Sequence, residues 1–227
     1  MCRLDSNTPS MEECRNIEQT TREQAECEEW HKRRRGRITS SKFKSVIRRR
    51  KFCHDNFLLS IFNLNRKPVE YAATLYGKEN EREAKSEYFK KTGRKIEKCG
   101  FIVNPNFPFL GASPDGKFYE NGNIGLVEVK CPYKHRKDTV EKAVDDKKFC
   151  LCKNARGLFL KPSHEYYYQV QGQLMISGAD FLDFIVYTKK DLAIIRIEKD
   201  LPFMRFMLLY LSKFYAEHQD FKILKKK

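Results

Sequence analysis

Ser113-Pro114-Asp115-Gly116 and, after a polar stretch, Gly125-Leu126-Val127-Glu128-Val129-Lys130 are the residues whose reading decides the fold. Pro114 fixes φ ahead of Asp115 and Gly116 accommodates the bend after it, so Asp115 stands at a tight turn. The run from Ile124 to Lys130 is apolar and rich in β-branched residues, which predicts a strand. Successive strand side chains alternate faces, so Glu128 and Lys130 project together while Val127 and Val129 face an apolar layer. Between the two motifs, Glu120-Asn121-Gly122-Asn123 carries the Asn-Gly pair that closes hairpins. Residues 116–130 are therefore expected to double back and bring Asp115 beside Glu128. Two carboxylates and a backbone carbonyl around one point suit a hard cation such as Mg²⁺.

On the N-terminal side, Thr39-Ser40-Ser41 supplies N-cap residues for a helix through Phe43, Val46 and Ile47, and a further helix is expected over 56–65. Pro68 opens a long helix from about Val69 to Lys91 that Gly93 stops. Residues 95–103 and 109–112 read as strands. Beyond the hairpin, 138–146 is expected to be an exposed helix, and Ser163 to cap a helix over 166–176 that ends at Gly178. Residues 181–188 and 192–198 form an apolar hairpin. A last helix runs from Leu201 to about Glu217, with Leu201, Met204, Leu208, Leu211 and Tyr215 at helical spacing. This order implies one mixed α/β (α+β) domain over 23–227, a central mixed β-sheet flanked by helices. Residues 1–22 are polar and aperiodic, and are expected to be a disordered or loosely packed leader.

The chain has 227 residues, 41% of them apolar and 33% charged, which is a soluble globular balance with enough chain for one substantial core. No run of about eighteen apolar residues occurs, so no membrane span is expected. The first residues lack a signal peptide's apolar segment, so an intracellular protein is expected, nuclear in a eukaryote and cytoplasmic in a bacterium or virus. The formal charge of +15 is uneven: residues 1–30 hold three Arg against eight Asp and Glu, leaving +20 on residues 31–227. A domain that basic suits a polyanion, although excess lysine also serves simple solvation. The eight cysteines include no Cys-x₂-Cys pair. Cys150-x-Cys152 with His164 offers a metal alternative, but such a pair inside a cell is more often two reduced thiols. No phosphate-cradling P-loop occurs, so ATP-driven translocation is not expected.

An isolated Asp-x₁₂-Glu-x-Lys also has an ordinary explanation, a solvent-facing strand with a same-side ion pair of little energetic weight. Three features favour a site. The strand is too apolar for a surface edge, so its charges need a reason. Asp115 stands in a Pro-Asp-Gly turn, and Cys131-Pro132-Tyr133 ends the pairing abruptly after Lys130.

Pro114-Asp115…Glu128-Val129-Lys130 resembles the PD-(D/E)xK nuclease motif, and the words around it look like the YqaJ viral recombinase and phage lambda exonuclease branch of that superfamily. Trp30-His31-Lys32-x-Arg34-x-Gly36-x-Ile38-Thr39-x-Ser41 resembles the branch's N-terminal signature. Tyr76-Gly77-Lys78-x-x-Glu81-x-x-Ala84 is similar to its helical acidic motif. Gly111-Ala112-Ser113-Pro114-Asp115-Gly116 and Glu128-Val129-Lys130-Cys131-Pro132-Tyr133 are similar to its core, and Tyr166-x-x-Gln169-Val170-Gln171 to its glutamine helix. The motifs run in order from about residue 29 to 178. The stretch 134–162 matches none of them. Iron–sulfur relatives in the superfamily need a late cysteine cluster, and no Cys occurs after Cys152.

The resemblance implies a restriction-endonuclease-like core and a Mg²⁺-dependent DNA exonuclease, with Mn²⁺ substituting and one or two ions bound. Asp115, Glu128 and the Val129 carbonyl would be metal ligands, Lys130 would position the attacking water, and Glu81 and Gln169 would complete the catalytic set. Without the resemblance, Glu81 reads as a solvated helix carboxylate and Gln169 as an exposed amide. Arg34 and Ser41, with Ser113 assisting, match positions that hold a terminal 5′-phosphate. Arg48-Arg49-Arg50-Lys51 reads either as a DNA channel or as a hydrated face. The implied partners are DNA, further copies of the chain in a ring-shaped trimer, and a single-strand annealing protein. The expected substrate is linear duplex digested 5′ to 3′. A structure-specific endonuclease with the same site and an inactive DNA-binding module are the alternatives.

Overall fold

In the computed structural model, which describes residues 8–64 and 71–224, Asn121 and Gly122 both adopt positive φ, 52° and 80°. That is the geometry Asn-Gly favours in a two-residue hairpin turn. It joins β3 (Gly116–Glu120) antiparallel to β4 (Asn123–Lys130), in register from Glu120 opposite Asn123 to Gly116 opposite Val127. β4 has β7 (Phe181–Tyr187) as a parallel neighbour on its other side, and β7 pairs antiparallel with β8 (Leu192–Glu198). The sheet is mixed, in the order β3-β4-β7-β8. A parallel pair needs a crossover, and the one from β4 to β7 contains helix α7 (Glu165–Ser177).

Helices cover both faces. α5 (Ala72–Thr92) packs Ala84 and Tyr88 against Val127, Val129 and Ile185. On the opposite face α7 packs Leu174 in one cluster with Leu126 and Phe184. Alternation along β4 thus hands Val127 and Val129 to α5, and Leu126 and Glu128 to α7. Helices α3 (Phe43–Ile47), α4 (Asp55–Ile61) and α8 (Leu201–Leu224) thicken the α7 layer. Gly172 lets α7 lie against Phe43, since a Cβ there would sit 2.5 Å from its ring.

The leader departs from expectation. Its described part forms helix α1 (Met11–Thr20), opened by a capping box in which Ser10 and Glu13 satisfy each other's backbone N–H groups. Cys14 and Ile17, three residues apart on one face, suffice to pack it on Phe101 and Val103. Next in the chain is α2 (Glu28–Arg34). The expected strand over 95–103 is reduced to single bridges, Glu97 with Lys117 and Ile102 with Ala112. Side chains of the N-terminal segment take the backbone groups a strand would use: Glu18 accepts the Gly100 N–H and Thr21 the Phe101 N–H.

Other differences are local. The strand expected over 109–112 shrinks to β2 (Leu110–Gly111), parallel to an unforeseen β1 (Ile38–Thr39). Ser40–Lys42 form a 3₁₀ turn ahead of α3, and no side chain caps that helix. α4 stops early, with Asn63 at φ 54°. Gly93, at φ 70°, ends α5 as expected, while the proposed start at Pro68 and Val69 lies outside the described residues. The exposed helix of 138–146 is only α6 (Val140–Ala143). The capping side chain of α7 is His164, not Ser163. A hairpin of β5 (Leu151–Asn154) and β6 (Gly157–Leu160) occupies the stretch without motifs. α8 outlasts Glu217 and buries Met204, Met207, Leu211 and Phe214, leaving Leu201 exposed. Among the described residues no helix is long and apolar enough to cross a membrane.

Candidate active site

The β3–β4 ladder runs out at Asp115. Its N–H still donates to the Val127 carbonyl at 2.9 Å, but the next partner on β4, the Val129 N–H, donates to the Asp115 carboxylate at 2.7 Å. A side chain has replaced the backbone at the strand's end, which fixes Asp115 between Glu128 and Lys130. The N–H and C=O of an extended residue open to the same side, so the Val129 carbonyl flanks Asp115. From α5, Lys85 Nζ donates at 2.6 Å to the Asp115 carbonyl and at 2.5 Å to Glu81 Oε1. That bridge ties Glu81 to the turn.

Glu128 is 2% exposed. A buried carboxylate is costly unless it is supplied with donors, and three converge on it. Lys130 Nζ and Gln169 Nε2 each lie 2.6 Å from Oε1, and Gln173 Nε2 lies 2.7 Å from Oε2. Gln169 and Gln173 are one helical turn apart on α7 and so share a face. The Lys130 ammonium also sits 4.6 Å from the centre of the Tyr166 ring.

This crowding sets the electrostatics. Burial holds the Asp115 carboxyl well above its usual range, and the charges of Glu128 and Glu81 push it the same way. Burial alone would discharge Lys130, but Glu128 beside it, with Tyr166 and Asp115, holds the ammonium above its usual range. The Cys131 thiol is pushed up to about 12, by burial first and then by Glu81 and Asp115. Glu81, Asp115, Val129 and Lys130 line a cleft of about 710 Å³, whose other wall includes His135, Phe149 and Tyr166. The 134–162 stretch therefore builds part of the cleft.

The donor set fits a hard divalent cation. Asp115, Glu128 and the Val129 carbonyl offer oxygen only, and a cation would relieve the mutual repulsion that resists ionisation of Asp115. Among the described residues no group of three His, Cys, Asp or Glu side chains converges to hold a metal. Of the Cys150-x-Cys152 pair, Cys150 is packed in the core and the Cys152 thiol contacts the Phe159 carbonyl.

A second feature lies two residues ahead of Asp115. Ser113 Oγ accepts the Trp30 indole N–H at 2.8 Å and lies 3.4 Å from Arg34 Nη1, while the Arg34 guanidinium stacks 3.9 Å from the Trp30 ring centre. Burial pulls the Arg34 guanidinium down to about 10. Among the described residues no carboxylate forms an ion pair with it; its neighbours are Ser113 and the Trp30 and Phe101 rings. Ser41 is exposed, 3.4 Å from Thr39 Oγ1, and no hydrogen bond among the described residues joins it to Arg34 or Ser113. Arg33 pairs with Glu29, and Arg37 braces the Arg33 and Pro108 carbonyls.

The structure thus brings Asp115, Glu128, Lys130 and Gln169 together, attaches Glu81 through Lys85, and joins Arg34 to Ser113. Gln173 and Lys85 escaped the sequence reading. Each sits four residues from a recognised motif residue, Gln169 or Glu81, and that helical spacing was the available signal.

The family pattern described as the YqaJ-like viral recombinase domain matches residues 29–180. No curated protein matches the chain by sequence. An alkaline exonuclease, LHK-Exo from Laribacter hongkongensis, is 26% identical with a TM-score of 0.67, over 88% of this chain and 96% of that one. The same enzyme in complex with dAMP aligns equally well. The Shutoff and Exonuclease protein of Kaposi's sarcoma-associated herpesvirus is 13% identical with a TM-score of 0.65, over 93% of this chain and 73% of that one, a likeness of fold.

Proposed function

The chain belongs to the family of the YqaJ-like viral recombinase domain, and from that premise we propose that it is a divalent-metal-dependent DNA exonuclease acting on linear duplex from a 5′-phosphorylated end. The observation that carries the reading is the Asp115 carboxylate bonded to the Val129 N–H, between Glu128 and Lys130. Asp115, Glu128 and the Val129 carbonyl would hold Mg²⁺, or Mn²⁺ in its place. When bound, such an ion supplies Lewis acidity toward a phosphate oxygen and toward the attacking water.

The remaining work falls to the chain's own residues. Lys130 keeps its proton, held by Glu128 and Tyr166, and its ammonium orients the water and offsets charge gathering on the scissile phosphate. Gln169 aims Lys130 by sharing the same Glu128 oxygen. Glu81, through Lys85, steadies the Asp115 turn. Arg34 and Ser113 would grip the terminal phosphate, and the two-residue spacing to Asp115 sets how far from the end cleavage falls. The +20 carried by residues 31–227 draws the duplex in.

End-labelled linear duplex, with a 5′-phosphate or a 5′-hydroxyl, and a covalently closed circle form the test, each with Mg²⁺ and with chelator. The linear phosphorylated substrate should be degraded from its 5′ end only with Mg²⁺, and the circle should survive. Cleavage of the circle would make the protein an endonuclease. Binding without cleavage of either would make it a DNA-binding module.

A further inference from the structure

The turn that carries Asp115 is held from three directions. The Asp115 N–H goes to Val127 and the Asp115 carbonyl to Lys85, while the Pro114 carbonyl accepts the side-chain amide of Gln24 at 2.8 Å. The same Gln24 nitrogen donates to the Cys99 carbonyl, also at 2.8 Å. One amide therefore straps the aspartate turn to the neighbouring segment, which brackets that turn through the Glu97–Lys117 and Ile102–Ala112 bridges.

Gln24 keeps this position at a conformational cost. Its φ is 48°, in the left-handed region that crowds any residue with a Cβ. The bend is set from behind: the Gln24 N–H bonds the Thr21 carbonyl, and Thr21, fully buried, bonds both the Ile17 carbonyl and the Phe101 N–H. Glycine would fit the backbone without strain but has no amide to reach Pro114. Ile17, Thr21 and Gln24 themselves precede residue 29, where the family match begins.

We infer that Gln24 is a positioning residue for Asp115, and that α1 with the turn after it is a brace, N-terminal to the matched residues, that holds the metal-binding aspartate in register. The inference rests on the function proposed for the site. Removing the amide frees the Pro114 carbonyl and loosens the hold on the Asp115 carboxylate opposite the Val129 N–H.

Gln24→Gly and Gln24→Ala, in the full chain, separate strain from positioning. Three quantities are read: Mn²⁺ affinity without DNA, kcat and KM on linear duplex, and the urea midpoint. Groups that orient a metal ligand typically contribute about 10-fold or more to affinity or activity. Both variants should lose about that factor in Mn²⁺ affinity and in kcat, with KM for DNA unchanged. Their midpoints should diverge, Gln24→Gly above Gln24→Ala, because both lose the amide's two hydrogen bonds but only glycine relieves the positive φ. Parental Mn²⁺ affinity and kcat in Gln24→Gly, or losses that merely track the midpoint, would overturn the inference. Asp115→Ala, assayed alongside, separates the two readings. If Asp115→Ala still cleaves, the proposed function fails; if it is inactive while Gln24→Gly is unaffected, the positioning role alone fails.

Discussion

Replacing Lys130 with methionine keeps the stem that packs on Tyr166 and removes the ammonium 2.6 Å from Glu128. At that separation, with an effective dielectric of ~20, the pair attraction is ~6 kcal/mol before desolvation is subtracted. Breaking a buried pair by removing one partner typically costs ~3–5 kcal/mol, because the remaining charge is stranded. Here Glu128 keeps the Gln169 and Gln173 amides, and the Lys130 side chain is 22% exposed. The net cost should therefore fall to about 2 kcal/mol in the metal-free protein. Mg²⁺ should narrow the gap, since a cation beside Glu128 supplies the charge that Lys130→Met removed. Turnover should fall by about 10²–10³, the range for removing one preorganised charge or donor aimed at the developing negative charge. Urea unfolding with and without Mg²⁺, metal titration and single-turnover cleavage read these effects separately. Near-parental turnover, or Mg²⁺ affinity falling in step with turnover, would refute the role assigned to Lys130.

Arg34→Ala should erase the preference for 5′-phosphate over 5′-hydroxyl ends; a lost charge-assisted contact of about 1.5–3 kcal/mol corresponds to roughly 10–100-fold. An unchanged rate ratio between the two end-labelled duplexes removes Arg34 from the end-binding site. His164 caps α7 by accepting the Tyr166 N–H on Nδ1, which must be unprotonated, and burial lowers the ring below its usual 6.5. Above pH 6.5 this cap contributes fully; below it the unfolded chain takes the proton first, and stability falls as pH drops toward the folded value. His164→Asn keeps an N-cap and should flatten that acid limb, read from unfolding midpoints against pH; an unaltered limb assigns the loss to other groups. Gly172→Ala should cost about 1–3 kcal/mol despite alanine's better helix propensity, because the new Cβ meets the buried Phe43 ring. A raised Tm in that variant would show that Phe43 yields easily.

The Asp115–Lys130 hairpin was legible from local chemistry. Asn121-Gly122 has one comfortable way to turn, and the period of two along β4 then assigns Glu128 and Lys130 to one face. Gly93 and Gly178 stop α5 and α7 for a similarly local reason, each at the positive φ that glycine tolerates. α1 was misread because its two packing residues, Cys14 and Ile17, carry meaning only once Phe101 and Val103 lie beneath them. The strand expected over 95–103 was lost to side chains from the same N-terminal segment, Glu18 and Thr21.

Sequence by itself determined that Asp115 stands at a turn and that Glu128 and Lys130 share one face of the strand beside it, since turn propensity and strand alternation act over a few neighbouring residues. Tertiary structure alone decided the surroundings of that chemistry. It set Gln173 and Gln169 on the two oxygens of Glu128, Lys85 between Glu81 and Asp115, and Gln24 on Pro114. Those contacts span up to 90 residues of chain, and no local preference encodes a distance that only the packing of sheet, α5, α7 and α1 creates.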